Sequence, residues 1–422
     1  MSRAPSPTGR PRHGVVGRLA PFGTTIFAEM TRLANEHGAI NLAQGFPDFD
    51  GPGYVKDAAV RALLDGHNQY ARLQGVPDLG AAIAGFWERQ TGRRLDPAGE
   101  VTVTSGCTEG LAATLLGLVE PGDEVVLFEP YYDCYRADVV LAGGVVRTVT
   151  LRATGPAWDP REHRSGDRCH QEGPPAFTFD AAELEAAFTE RTRAIVLNTP
   201  HNPTGKVFTR AELGLIAELC VRHDVLAITD EVYERLVFAD EPGHIRLATL
   251  PGMWERTVTL SSLGKTFGLT GWKIGWAIAP PPLSAAVRAA HQFLTFCAPT
   301  PLQHGAACAL SETALAEEYA RDLVATLRRA RDYLAAALVD LGLTVYRPDG
   351  TYFIMADHTP MGFASDVEFC RHLTAEIGVA AIPPSVFYAT PGAGARLARF
   401  AFCKRTETLE EAVRRLRKLR PR

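Results

Sequence analysis

Seven short apolar runs, spaced through residues 101–280 and separated by stretches with helical spacing, constrain this chain more than any other feature. They read VTVTSG (101–106), EVVLFEP (124–130), VVRTVTL (145–151), AIVLNTP (194–200), VLAITDE (225–231), TVTLSS (257–262) and GWAIAP (275–280). Runs of this length and hydrophobicity suit strands buried on both faces, the hallmark of a parallel sheet covered by helices. Their alternation with helical stretches between roughly Pro52 and Pro301 predicts an α/β unit. Each run ends in polar or small residues. In an open α/β sheet ligands collect beyond the carboxyl ends of the strands, so those residues are the first candidates for a site.

At 422 residues the chain suits a large unit with a subsidiary lobe. We expect a disordered tail over 1–18, part of a smaller domain over 19–51, a large domain over 52–304, and the rest of the smaller domain over 305–422. The tail, MSRAPSPTGRPRHGVVGR, is rich in Pro, Gly and Arg and lacks the apolar stretch of a secretory signal. An organelle-targeting peptide is the competing reading, against which its prolines argue. The last part shows a long amphipathic helix through Leu323 and Leu334, then LTVYRP, GTYFIMAD and a final helix from Glu407. Residues 152–177, dense in Gly, Pro and charge, read as a surface excursion.

A formal charge of −4 and the lack of a long basic run argue against nucleic acid as a partner. Eight scattered cysteines without a CxxC pair suggest neither a zinc site nor a disulfide framework, which fits a reducing, cytoplasmic setting. No run of about 18 apolar residues is present, so no membrane span is expected.

The segment SSLGKTFGLTGWKIGW (261–276) sets Lys265 between Gly264 and Thr266, with Gly268 and Gly271 close behind and Lys273 further on. A solvated helix face would favour Ala, Glu or Leu at those sites. Small neighbours instead permit close backbone approach, and a second cation depresses an amine's pKa. A lysine that adds to a carbonyl as a free amine needs both, so this is the profile of a Schiff-base lysine. Asn202 follows another run, in AIVLNTPHNPTGKVF, and taken singly reads as an ordinary Asn-Pro turn. Asp230 ends a third run, and Tyr233 shares a ligand with it if the chain turns helical there. A buried Asp needs a partner, and a protonated heterocyclic nitrogen is one; a salt bridge or a helix N-cap is the competing reading.

Asn202, Asp230, Tyr233, Lys265 and Lys273 lie in order beyond successive runs. With NLAQGFPDF, NQYARLQG, EPYYDCY, NTPHNPTGKVF, ITDEVYERLVF, PGMWERT, SSLGKTFGLTGWKIGW, GTYF, AIPPSVFY and RFAFCK, the chain resembles the fold type I, pyridoxal-phosphate-dependent aminotransferases of class I/II. The motifs look most like those of the kynurenine aminotransferase, or glutamine transaminase K, branch. The resemblance covers nearly the whole chain after the tail. It implies a large α/β domain with a mostly parallel seven-stranded sheet between helices, plus a smaller α+β domain formed by both chain ends.

The same resemblance implies a role for each matching residue. Lys265 would form the Schiff base with pyridoxal 5′-phosphate and then carry the proton between Cα and the cofactor. Asp230 would keep the ring nitrogen protonated, and Asn202 and Tyr233 would hydrogen-bond the ring oxygen. Tyr132 would stack on the ring, with Tyr131 or Tyr135 as alternatives and a core aromatic as the plain reading. The phosphate would meet the backbone N–H groups of Cys107 and Thr108 at a helix start, the Ser262 hydroxyl and Lys273. Tyr70 would reach the phosphate of a neighbouring subunit, which makes a homodimer with shared sites part of the expectation; a core tyrosine is the alternative. Arg399 would bind the substrate carboxylate, helped by Asn202 and the Gly45 backbone, with a surface-edge arginine as the alternative. Phe27, Phe296 and Tyr70 would line an apolar pocket.

Phe27 and Cys297 stand where animal kynurenine aminotransferases carry a tryptophan and a histidine, and Thr108 replaces a tyrosine, which leaves the side-chain preference open. The expected activity is ping-pong transfer of an amino group from an L-amino acid (kynurenine, glutamine, methionine or aromatic) to a 2-oxo acid, with cysteine-conjugate β-lyase as a side reaction. N-succinyldiaminopimelate aminotransferase is the alternative within the family. A non-catalytic cofactor-binding regulator is the alternative from another class, although the short tail leaves no room for the DNA-binding module such regulators carry; an interaction protein without cofactor is the third.

Overall fold

The structure, a computed structural model, describes residues 15–162, 175–238 and 243–422. Each of the seven runs forms a strand: β1 (Val101–Thr104), β2 (Glu124–Glu129), β3 (Val145–Thr150), β4 (Thr192–Asn198), β5 (Leu226–Asp230), β6 (Thr257–Ser262) and β7 (Gly275–Ile278). They build one sheet in the order β1-β7-β6-β5-β4-β2-β3. β1, β2 and β7 are buried at every residue, whereas β3, at the edge, is partly wet.

One strand departs from the parallel pattern: β7 runs antiparallel to both its neighbours. The cause is the connection before it. A parallel return needs a crossover able to carry a helix over the sheet, and residues 263–274 hold only a helical turn (Leu263–Thr266) and a 3₁₀ turn (Thr270–Trp272). The chain therefore folds straight back. Register then brings the strand ends together, with Asn198 opposite Asp230 and Gly275 opposite both Ser262 and Thr104. All of these residues come out at one edge of the sheet.

Five helices matter to that edge: α1 (Ile26–Glu36), α2 (Gly106–Leu118), α3 (Asp133–Leu141), α4 (Pro281–Leu294) and α5 (Thr313–Asp340). α2 leaves β1 directly, and its first residue, Gly106, has φ +77°, a conformation that costs glycine little. α5 is the long helix expected through Leu323 and Leu334. Beyond it, β8 (Thr344–Tyr346), β9 (Phe353–Asp357) and β10 (Leu397–Ala401) form an antiparallel sheet. Ile40–Asn41 pair with Val379–Ala380, so both ends of the chain join one lobe. Its core gathers Met30 and Leu42 with Leu327, Phe353 and Phe400, and takes in Val232, Tyr233 and Leu236 from the loop after β5.

Of the expected tail, residues 1–14 lie outside the described residues. The expected excursion opens and closes on a short antiparallel pair, Arg152–Ala153 with Phe177–Thr178, and its residues 163–174 lie outside the described residues. No described helix is long and apolar enough to cross a membrane.

Side chains alternate along an extended chain, so Asp230 and Glu231 part company. Asp230 faces a cavity, while Glu231 enters a buried cluster, 2.5 Å from Arg246 and 2.8 Å from His244, with the Thr229 hydroxyl donating to it at 3.0 Å. Arg246 also binds Glu234 and Gln90, and Ser261 on β6 donates to Glu234 at 2.8 Å. Burial raises the Glu231 carboxyl's pKa, but His244 and Arg246 outweigh it and hold the group below its ordinary value. The cluster ties the turn after β5 to the strand that carries Ser262. Removing one member strands a buried charge at a cost of about 3–5 kcal/mol. Arg246→Ala is therefore expected to lower the unfolding free energy by about that amount in urea titrations; a loss well under 1 kcal/mol, the scale of an exposed pair, would show that the cluster is not what holds the turn.

Candidate active site

The carboxyl edge of the sheet opens into a cavity of about 840 Å³. From the large lobe Asn202, Asp230, Tyr233, Ser262, Lys265 and Lys273 line it, together with Cys107 and Thr108 at the start of α2 and Tyr132 at the start of α3. The second lobe contributes Phe27, Gly45 and Arg399. Two expected residues fall outside it. Tyr70 and Phe296 meet edge to face at 5.6 Å, 85% and 45% exposed. Cys297 is half-buried against the core beside the sheet, also away from the cavity.

At one end of the cavity two glycines leave room for close packing of backbone and the Lys273 side chain. A Cβ on Gly106 would lie 3.0 Å from Lys273 Nζ, and one on Gly275 would lie 2.6 Å from the Cys107 nitrogen. The amine of Lys273 thus sits against the first turn of α2, whose backbone N–H groups have no partner within the helix. Lys273 itself has φ 54°, a left-handed conformation uncommon outside glycine. Amides, a helix dipole and an ammonium converge where an anion would bind. The Ser262 hydroxyl borders the same end.

Lys265 stands beside the Tyr233–Tyr352 pair, its Nζ 5.6 Å and 5.9 Å from their ring centres. Burial pushes its pKa down, with Lys273 and Arg399 acting in the same direction, while Cys403 and Asp230 oppose them. Asp230 is buried in turn. Desolvation raises its carboxyl's pKa, against a 2.6 Å hydrogen bond from the Tyr135 hydroxyl, a 3.2 Å bond from the Val232 N–H, the Cys107 thiol and the charge of Lys265. Tyr135 was an alternative stacker in the sequence; its hydroxyl instead belongs to Asp230. Tyr131 is buried away from the cavity, its N–H on the Phe387 carbonyl, which leaves Tyr132 to face the open space.

Sequence reasoning missed Asn198, which donates to the Asp230 carbonyl at 2.9 Å and accepts from the Asn202 N–H at 2.7 Å. Its place at the end of β4 was the available signal. At the far side Arg399, 1% exposed, donates to Asn202 Oδ1 at 2.9 Å and to the Ala43 carbonyl at 2.7 Å, and its Nε has no partner among the described residues. The rings of Phe27 and Phe353 flank the guanidinium, their centres 5.3 Å and 4.1 Å from its carbon. Burial pushes the Arg399 pKa down to about 10, so it stays charged at neutral pH. A buried cation with an unused donor in a cavity is a ready receptor for a carboxylate.

This sheet, with a buried lysine facing an anion cradle at its carboxyl edge, is the architecture of the fold type I pyridoxal-phosphate enzymes. A model of the family described as aminotransferase class I and II matches residues 37–416. The solved N-succinyldiaminopimelate aminotransferase of Mycobacterium tuberculosis superposes with a TM-score of 0.89 at 46% identity, covering 96% of this chain and all of that one. The methionine aminotransferase of Escherichia coli is 42% identical over 95% of this chain and 97% of its own length. The kynurenine–oxoglutarate transaminase of Dictyostelium discoideum is 39% identical over 96% of each. The chain belongs to the class I and II aminotransferases, and its cofactor is pyridoxal phosphate. The glycine-lined cradle at Gly106, Gly275 and Lys273 fits that cofactor's phosphate.

The Tyr135–Asp230 bond makes a test. On the expectation that Asp230 meets the protonated ring nitrogen as an anion, cofactor affinity persists above the pKa of Asp230 and is lost as pH falls through it. Tyr135→Phe removes a donor to a charged acceptor, roughly 1.5–3 kcal/mol, and lets desolvation push that pKa higher. The acid limb of pyridoxal phosphate affinity should therefore move to higher pH in fluorescence titrations. An acid limb at the wild-type pH would show that Tyr135 does not govern Asp230.

Proposed function

We propose that this aminotransferase takes its amino group from an L-amino acid with a neutral side chain (kynurenine, glutamine, methionine or aromatic) and passes it to a 2-oxo acid in a ping-pong cycle. The observation that carries the reading is the charge around the cavity. Among the described residues lining it the cations are Lys265, Lys273 and Arg399, and the acids are Glu29, Asp133 and Asp230. With the two lysines engaged by the cofactor, Arg399 remains for one substrate carboxylate. N-succinyldiaminopimelate, the substrate named for the M. tuberculosis relative, brings further carboxylates, for which the described lining holds no further cation; Glu29 is itself held by Arg371 at 2.6 Å. Neutral donors need no such partner.

Each lining residue then has a task. The amides of Cys107 and Thr108, the Ser262 hydroxyl and Lys273 hold the phosphate, Tyr132 covers the ring, Asp230 holds the ring nitrogen's proton, and Asn202 and Tyr233 bind the ring oxygen. When bound, pyridoxal phosphate supplies the aldehyde that takes up the substrate nitrogen and the ring that accepts electrons from Cα. Lys265 moves the proton at Cα, which its burial favours by weakening the amine's hold on its own proton. Arg399 and the Gly45 backbone orient the substrate carboxylate, and Phe27 packs against the side chain. Elimination of a good leaving group from Cβ, the β-lyase side reaction, uses the same residues.

A homodimer belongs to this reading. Phe293 is 86% exposed, and it stands close in sequence to Phe296 of the exposed Tyr70–Phe296 pair. A second copy of the chain would cover this aromatic surface and bring Tyr70 toward the neighbouring phosphate.

Two measurements test the proposal. An amino-donor panel should give the highest kcat/KM with kynurenine, glutamine, methionine or phenylalanine; a clear preference for N-succinyldiaminopimelate would overturn the donor class. Lys265→Ala should abolish turnover while still binding the cofactor non-covalently, and measurable transamination by that variant would remove Lys265 from its role.

A further inference from the structure

We propose that Tyr352 and Lys404 are positioning residues that hold the Gly45 backbone in place for the substrate carboxylate; the inference rests on the function proposed above, in which Arg399 and Gly45 bind that group. Three carbonyls within residues 43–46 are each captured by a buried side chain. Arg399 donates to Ala43 at 2.7 Å, the Tyr352 hydroxyl to Gly45 at 2.6 Å and Lys404 Nζ to Phe46 at 2.8 Å. The N–H groups of Ala43 and Gln44 are taken by Asn41 Oδ1, both at 3.0 Å. Among the described residues no acceptor takes the Gly45 N–H, and Gly45 lines the cavity.

A glycine needs such clamps. Its backbone has more freedom to lose than any other residue's, and a side chain that restrained it would not fit, since a Cβ on Gly45 would lie 2.5 Å from the Phe353 ring. Tyr352 is itself rigidly aimed. The residue before it, Thr351, is fully buried with φ +66°, a strained conformation for a β-branched residue, and its N–H is fastened to the Leu236 carbonyl at 2.8 Å. The Tyr352 ring meets Tyr233 edge-on, 5.2 Å between centres at 87°, and its centre lies 5.9 Å from Lys265 Nζ. Tyr352 therefore stands with its ring beside Tyr233 and Lys265 and bonds the carboxylate loop with its hydroxyl. Lys404, 6% exposed, lies over the Phe46 ring and fixes the next carbonyl.

The test uses the cofactor-loaded enzyme and 3-phenylpropionate, a carboxylate with no amino group to react, read by its effect on the visible band of the bound cofactor. Loss of one hydrogen bond in the clamp should weaken its binding about tenfold in Tyr352→Phe and in Lys404→Met. KM for donor and acceptor should rise together, kcat should change less than KM, and cofactor affinity should stay within about twofold, or about 0.4 kcal/mol. Arg399→Ala serves as the reference in the same assay. Should Arg399→Ala weaken 3-phenylpropionate while neither clamp variant does, the positioning role is overturned and the proposed function stands. Unchanged binding in Arg399→Ala would place the carboxylate elsewhere and remove the proposed function itself.

Discussion

A carboxylate buried in the wall of a cavity is the constraint on which much of this structure turns. Desolvation drives Asp230 toward its neutral form, and the opposing bonds come from three directions: a hydroxyl on α3, a backbone N–H in the turn after β5, and a thiol at the start of α2. Each of those elements must be in place at once. The strand order supplies the arrangement, because β1, β2 and β5 all deliver their carboxyl ends to the same edge. Lys265 completes the set, and its own burial lowers its pKa, which likewise favours the uncharged form, the free amine.

The neighbouring acid, Glu231, shows how position along an extended chain separates two functions. It lies next to Asp230 in sequence yet belongs to an ionic cluster with Arg246 and His244 that faces away from the cavity. One acid is stabilised by full-charge partners and stays well ionised. The other is held mainly by neutral donors, which leaves its charge open to pairing with a ligand. This difference follows from alternation and from what each face of the sheet is packed against.

Most of the large lobe was legible in the sequence because its strands are buried on both faces and so appear as uninterrupted apolar runs. The direction of β7 was not, since burial says nothing about sense; the short connection before it decides that. The site divides in the same way. Residues at strand ends, such as Asp230 and Ser262, announce themselves by position, whereas EPYYDCY offers three tyrosines whose directions depend on where the chain turns into α3. Structure separates them: Tyr132 faces the cavity, Tyr135 bonds Asp230 and Tyr131 is buried elsewhere. Tyr352 and Lys404 lay in quoted motifs but bond to residues more than 300 positions away, and local pattern carries no trace of such a pairing.

The parallel pairing of Ile40–Asn41 with Val379–Ala380 has a consequence for how the molecule is made. Everything proposed to hold the cofactor within one chain lies between Cys107 and Lys273, on a sheet finished by Ile278, and can form while synthesis continues. The stretch from Ala43 to Phe46 leaves the ribosome early but finds its partners, Arg399 and Lys404, only when the chain is nearly complete. Domains tend to fold in the order in which they emerge. The residues proposed for the cofactor are therefore all made before Arg399 and Lys404, while Tyr233, which packs in the core of the second lobe, gains its surroundings only with the last third of the chain, so the substrate side of the site is the last to be completed.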